Sequence, residues 1–154
     1  MFWLDGGWAV DALLGGQTRD HKDIDIVIRQ SDGPRLDEVL RSAGYRLAEG
    51  GRPFNYVMTD KRGREIDVHS VVFDAHGNGL YGQGADPGEM YPAGSLDGEG
   101  TVGSRKVRCI EPRFLVAFHT GYEIKGSDVH DVYALHRKFG VPLPEEYAGR
   151  EPAD

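Results

Sequence analysis

The sequence predicts an α/β (α+β) domain, a mixed sheet flanked by helices, with further helices at the C-terminal end. Three observations predict it. Ile24, Ile26 and Ile28 alternate with Asp23, Asp25 and Val27, a period of two with β-branched residues on one face. Leu36, Val39, Leu40 and Ala43 follow the i, i+3, i+4, i+7 spacing of a helix with one apolar side. Strand-like runs at 45–49, 54–60 and 65–74 are then separated only by short Gly/Pro turns, and helical patterns return after Pro112.

Phe2-Trp3-Leu4 reads as a short buried strand, broken by Asp5-Gly6-Gly7 before a helix over about 8–14 that Gly15-Gly16 closes. The Ile24 strand follows. Ser31-Asp32 is a candidate cap for the next helix, with Pro34 in its first turn and Gly44 as the stop. Lys61-Arg62-Gly63 joins the last two of the three middle runs as an antiparallel hairpin. Residues 75–100 are glycine-rich and apolar-poor, a long loop with short extended pieces, the kind that is usually functional or mobile. Val102 and Lys106–Ile110 suggest one more strand or hairpin. Pro112 opens a helix with Phe114, Leu115 and Phe118, and Ser127 opens another that Gly140 stops. The expected domain is 1–141, followed by an irregular tail over 142–154.

At 154 residues the chain is of one-domain size, large enough to bury a core without disulfides or structural zinc. Its single cysteine, Cys109, excludes an internal bridge and a CxxC site. The formal charge of −7, without a basic run, makes nucleic acid an unlikely partner and favours cationic small molecules. Apolar runs are too short to span a membrane, and Asp5 interrupts the start too soon for a signal peptide, so the expected compartment is the cytoplasm. Glycine is in excess at 22 residues, many of them between 77 and 103, in the loop expected to border an acceptor.

Asp23 and Asp25, at i and i+2 on a strand, share a face about 6–7 Å apart, a spacing that lets both ligate one hard cation. Oxygen-only ligation favours Mg²⁺. A bare DxD also suits a solvent face, but the all-isoleucine opposite side marks this strand as central. Asp67, in Glu65-Ile66-Asp67-Val68-His69, repeats the pattern. A third acid beside a paired one completes a site in which two cations roughly 3.5–4 Å apart clamp the attacking and leaving oxygens of a phosphoryl displacement. His69 reads as a hydrogen-bonded structural histidine. Gly6-Gly7 between strand and helix offers backbone amides to phosphate oxygens, although most such pairs are only turns. No Walker loop is present.

The runs Trp3–Gly15, Gln17-Thr18-Arg19-Asp20-His21 and Asp23-Ile24-Asp25-Ile26 resemble the opening of small antibiotic nucleotidyltransferases: the lincosamide nucleotidyltransferase group, related to the aminoglycoside 2″-adenylyltransferases. Similarity continues through 65–69, 107–110, 119–123 and 128–135, nearly the whole chain. The resemblance implies a polymerase-β-like nucleotidyltransferase fold, Mg²⁺, and ATP as co-substrate. It implies that Asp23 and Asp25 are metal ligands and that Asp67 is the third acid, a ligand or the base for the acceptor hydroxyl. Gly6 and Gly7 match the turn that holds the triphosphate, and Arg19 and His21 match the basic pair on phosphate. Arg19 equally suits a structural ion pair. Relatives of this kind normally carry an N-terminal helix before the Trp3 strand, so the expectation is either a truncated or misassigned start or an apolar surface covered by another subunit, as in a homodimer.

Lys125, before the last helix, is a further candidate for phosphate. Tyr122 and Glu123 would suit a cationic sugar amine, or be core and solvated residues respectively. Asp128 and Asp131 suit a helix's first turns on dipole grounds alone. The expected activity is AMP transfer from ATP to a hydroxyl of a small antibiotic-like acceptor, a lincosamide or an aminoglycoside. A toxin-type nucleotidyltransferase acting on protein or RNA and a non-catalytic nucleotide-binding module are the alternatives. The intact acids at 23, 25 and 67 weigh against the latter.

Overall fold

The computed structural model describes residues 1–81 and 90–152. Along them run β1 (Phe2–Leu4), α1 (Gly6–Leu14), β2 (Asp23–Arg29), α2 (Gly33–Ser42), β3 (Arg46–Gly50), β4 (Tyr56–Thr59) and β5 (Glu65–Phe73). β6 (Gly79–Tyr81), β7 (Met90–Tyr91), β8 (Gly98–Val102), β9 (Arg105–Cys109), α3 (Pro112–Phe118) and α4 (Gly126–Phe139) complete the order. The result is the expected mixed sheet with flanking helices.

The strand order is β3-β4-β5-β2-β1-β9-β8, with β6 and β7 extending from β5. β2 pairs parallel to β5 and antiparallel to β1, and β1 pairs parallel to β9. The Ile24 strand is therefore central, as its sequence implies. Val27 and Ile28 on it, and Val68 and Val71 on the adjacent β5, are almost fully buried. α1 lies against β2, β8 and β9 and meets α3 and α4. It approaches β8 so closely that a Cβ on Gly100 would lie 2.5 Å from the carbonyl carbon of Ala12. Gly98 is confined in the same way by the carbonyl of Ile110, 2.6 Å from a Cβ. Part of the glycine excess assigned to an acceptor loop thus serves strand–helix packing instead.

Several local expectations change. α1 starts at Gly6 rather than Trp8, because the Asp5 side chain caps it. A 3-10 turn over Gln30–Asp32 precedes α2, and Asp32 makes no capping bond; its carboxylate accepts from the N-terminal amine instead. Val39 faces out at 57% exposure, while Leu40 is buried and Leu36 packs against the core. Val39 lies on an apolar groove of about 470 Å³ that Phe2, Trp8, Ile24 and Leu36 also line. Of the 75–100 segment, residues 82–89 lie outside the described residues, and the rest carries β6, β7 and the start of β8. The described part of the tail, 142–152, is irregular apart from a 3-10 turn over Glu145–Tyr147, yet Tyr147 is fully buried and its hydroxyl donates to the His119 carbonyl. No helix among the described residues is long and apolar enough to cross a membrane.

Candidate active site

The β2–β5 register assembles the site. Parallel pairing sets Asp23 beside Glu65, Asp25 beside Asp67 and Val27 beside His69. Because side chains alternate, Asp23, Asp25, Asp67 and His69 share one face while Ile24, Ile26 and Ile66 take the other. Ligand atoms of Asp25, Asp67 and His69 all lie within 4.8 Å of one another, the spacing of groups around one cation. His69 Nε2 stands 3.8 Å from Asp25 Oδ1 and 3.9 Å from Asp67 Oδ2. Asp23 sits one pleat away toward the strand start, outside that tight group, and its charge still reaches Asp67.

This concentration of negative charge has consequences for titration. Burial raises the Asp67 carboxyl above the usual carboxylate range; His69 opposes the shift, and Asp25, Asp23 and Asp5 add to it. Burial lowers the His69 imidazole, but the nearby carboxylates of Asp25, Asp5 and Asp67 favour its charged form and the net shift is upward.

Gly6 and Gly7 prove necessary for a reason no turn signal contains. Gly6 has φ +53°, and a Cβ there would lie 3.0 Å from Cγ of Asp25 and closer still to Oδ2. A Cβ on Gly7 would lie 2.5 Å from Arg19 Nη2 and 2.5 Å from His21 Cε1. The bare backbone lets the Asp25 carboxylate and the Arg19 and His21 side chains close over the start of α1. The Gly6 N–H donates to Asp5 Oδ1 at 2.7 Å, and the Gly7 and Trp8 amides have no intrahelical acceptor. Arg19 and His21 lie beside Gly7, at the end of α1 where the helix dipole is positive.

Arg19 donates through Nε to Asp131 Oδ1 at 2.8 Å and through Nη2 to Asp131 Oδ2 at 2.5 Å. That fork holds the guanidinium in its charged form. His21 Nε2 faces Asp11 Oδ2, and Asp11 Oδ1 accepts from the Thr18 amide and hydroxyl. Asp11 and Asp131 are both buried, although helix position alone suggested dipole-favoured surface acids at 128 and 131. Asp128 is buried as well and accepts from the Lys125 amide at 2.7 Å.

A cavity of about 590 Å³ adjoins the acid pair, with His69 and Asp5 in its wall. Its other sides include Asn55, Tyr81, Tyr91 and Phe118. Tyr81 and Tyr91 ring centroids are 5.4 Å apart and Tyr91 and Phe118 are 5.7 Å apart, in tilted and edge-on arrangements. The Tyr91 hydroxyl donates to Asp5 Oδ2 at 2.6 Å, and burial, then Asp5, keep it a phenol. A hollow of about 660 Å³ at the β3–β4 edge, beside Arg46 and Arg62, contains no such acid pair.

Of the remaining expected residues, Lys125 is exposed at the start of α4. Tyr122 is half exposed, its phenol raised by burial and then by Asp128, and Glu123 is exposed in the same connection. None of the three lines the cavity or joins the acid cluster. Sequence reasoning missed Asp5, Asp11 and the placement of His69. The usable signals were an Asp at a helix N-cap and a His two residues beyond Asp67 on an alternating strand.

The chain is similar to known proteins in sequence and fold. A lincosamide resistance protein of Staphylococcus haemolyticus is 28% identical over 134 residues, 87% of this chain and 83% of the relative. A 2″-aminoglycoside nucleotidyltransferase of Escherichia coli is 40% identical over 47 residues, 30% of this chain and 27% of its own. The crystal structure of the lincosamide antibiotic adenylyltransferase LnuA with lincomycin bound superposes with a TM-score of 0.73 at 29% identity, over 88% of this chain and 85% of that one. ANT(2″)-Ia in complex with adenylyl-2″-tobramycin superposes at 0.66 with 21% identity, over 90% and 79%, a likeness of fold. The family profile described as aminoglycoside-2″-adenylyltransferase matches residues 1–135. The chain belongs to the aminoglycoside-2″-adenylyltransferase family and is a nucleotidyltransferase enzyme of the antibiotic-modifying kind.

Proposed function

We propose that this enzyme transfers AMP from ATP, with Mg²⁺, to a hydroxyl of a small antibiotic-like acceptor. The observation that carries the reading is the β2–β5 register, which seats Asp25 beside Asp67 between the glycine start of α1 and the aromatic cavity.

The donor set suits a hard cation: two aligned carboxylates, a third one pleat away, and an Asp67 carboxyl pushed up in part by the neighbouring acids whose repulsion a cation would relieve. Asp25 and Asp67, with Asp23, would hold Mg²⁺, which when bound supplies positive charge to the phosphate oxygens undergoing displacement. Gly6 lets Asp25 lie against the backbone and so fixes its direction. Arg19, His21 and the Gly7 and Trp8 amides bind the phosphates of ATP, with Lys125 reaching them from the start of α4. Asp67 Oδ2 receives the proton of the acceptor hydroxyl. Tyr81, Tyr91 and Phe118 seat the apolar face of the acceptor and exclude water, while Tyr122 and Glu123, exposed and outside the cavity wall, would meet only a part of the acceptor that projects from it.

Of the two solved relatives named above, the one bound to lincomycin is the more similar, so lincosamides lead the acceptor panel. Incubation with ATP, Mg²⁺ and lincosamides or aminoglycosides, followed by mass spectrometry, is expected to find an acceptor heavier by one AMP. An unmodified acceptor throughout both classes contradicts the reading.

A further inference from the structure

Asp131 is 1% exposed and lies on α4, 112 residues from the arginine it grips. A buried ion pair of this kind contributes little net stability, because desolvation offsets its attraction; its firmer consequence is fixed geometry. Of the five guanidinium N–H groups of Arg19, two enter the Asp131 fork and one reaches the Asp20 carbonyl at 3.2 Å. Two remain, and Nη2 is the atom pressed against Gly7. α4 reaches the same place a second time. His130 Nε2 is 3.0 Å from the Thr18 hydroxyl, which donates to Asp11, the carboxylate facing His21 Nε2.

We propose that α4 is part of the nucleotide site, and that Asp131 is a positioning residue that aims Arg19 at the phosphates of ATP. The inference rests on the nucleotidyl-transfer reading for its ligand. It adds that phosphate affinity and the seating of α4 are one coupled property: nucleotide binding tightens α4, and loosening α4 weakens nucleotide binding. A purely structural Asp131 would alter stability and leave the balance between triphosphate and monophosphate untouched.

The test is calorimetric titration of the full chain with Mg²⁺ and α,β-methylene-ATP, and separately with AMP. Asp131→Asn is expected to weaken the triphosphate analogue about 10- to 100-fold, the range of a lost charged hydrogen bond. AMP affinity stays within about twofold, since AMP lacks the β- and γ-phosphates. Arg19→Gln shows the same loss, Asp131→Asn adds nothing further in that background, and Asp131→Glu restores part of it. In turnover the KM for ATP rises while kcat falls less than about threefold, as expected when ground-state and transition-state binding are lost together. Should Asp131→Asn not fold, hydrogen exchange on the unaltered protein decides, with Val129–Leu135 expected to slow when the Mg²⁺ analogue binds. Unchanged analogue affinity in Asp131→Asn, an equal loss for AMP, additive losses in the double variant, or no protection of α4 overturns the inference and leaves the functional reading standing. Absence of analogue binding to the unaltered protein overturns both.

Discussion

Replacing Gly7 with Ala tests the packing at the start of α1 directly. The new methyl carbon would sit 2.5 Å from Arg19 Nη2 and 2.5 Å from His21 Cε1, where contact requires about 3.5 Å. Each side chain must withdraw by roughly 1 Å, and neither is loose: Arg19 is forked onto Asp131 and His21 onto Asp11. Losing one charged hydrogen bond costs about 1.5–3 kcal/mol, and the better helix propensity of Ala returns about 1 kcal/mol. The net loss on urea unfolding is therefore about 0.5–2 kcal/mol, accompanied by an approximately tenfold weaker ATP affinity in calorimetric titration. Gly16→Ala is the control, because its Cβ would meet nothing within 4 Å. A Gly7→Ala protein that gains stability and binds ATP normally would refute the reasoning.

Asp67→Asn is expected to abolish transfer while stabilising the metal-free protein. A carboxyl raised in the folded state contributes stability below its unfolded value and loses it as pH rises through the folded value, so at pH 7 the ionised group is a net cost. With the side chain 37% exposed, solvent screening limits the gain to less than about 1 kcal/mol, a rise in melting temperature of up to about 3 °C. Mg²⁺ should raise the melting temperature of the unaltered protein more than that of the variant; equal rises would remove Asp67 from the metal set. Tyr91→Phe takes a donor from Asp5 Oδ2 and should cost about 1.5–3 kcal/mol in denaturant unfolding, with a raised KM for the acceptor, and no change in either would dissociate Asp5 from the cavity wall. Cys109, buried with its thiol pushed up to about 12, should stay unreactive to a disulfide reagent until the protein unfolds; rapid native labelling would contradict that placement.

The acid pair was legible because a central strand with isoleucine on one face leaves its aspartates few uses beyond a site. The parallel β2–β5 pairing then decided which acids are neighbours, and it put His69, not Asp23, in the tight group with Asp25 and Asp67. No periodicity contains that row assignment. Asp11 and Asp131 were illegible for a different reason: an acid on a helix looks like a solvated or dipole-favoured group until its partner is known, and theirs lie 10 and 112 residues away. Gly6-Gly7 was readable as a turn, whereas the demand for bare backbone comes from Asp25, Arg19 and His21 crossing above it. Val39 shows the complementary error, since a helical apolar stripe specifies a face without saying what covers it.

The central claim, nucleotidyl rather than phosphoryl transfer from a centre built on Asp25 and Asp67, is tested most directly by the fate of labelled ATP with an accepting antibiotic. Label in the α-phosphate is expected on the acceptor and label in the γ-phosphate in released pyrophosphate, in equal amounts, with both signals lost in Asp25→Asn. Label from the γ-phosphate on the acceptor, or undiminished transfer by Asp25→Asn, would contradict it.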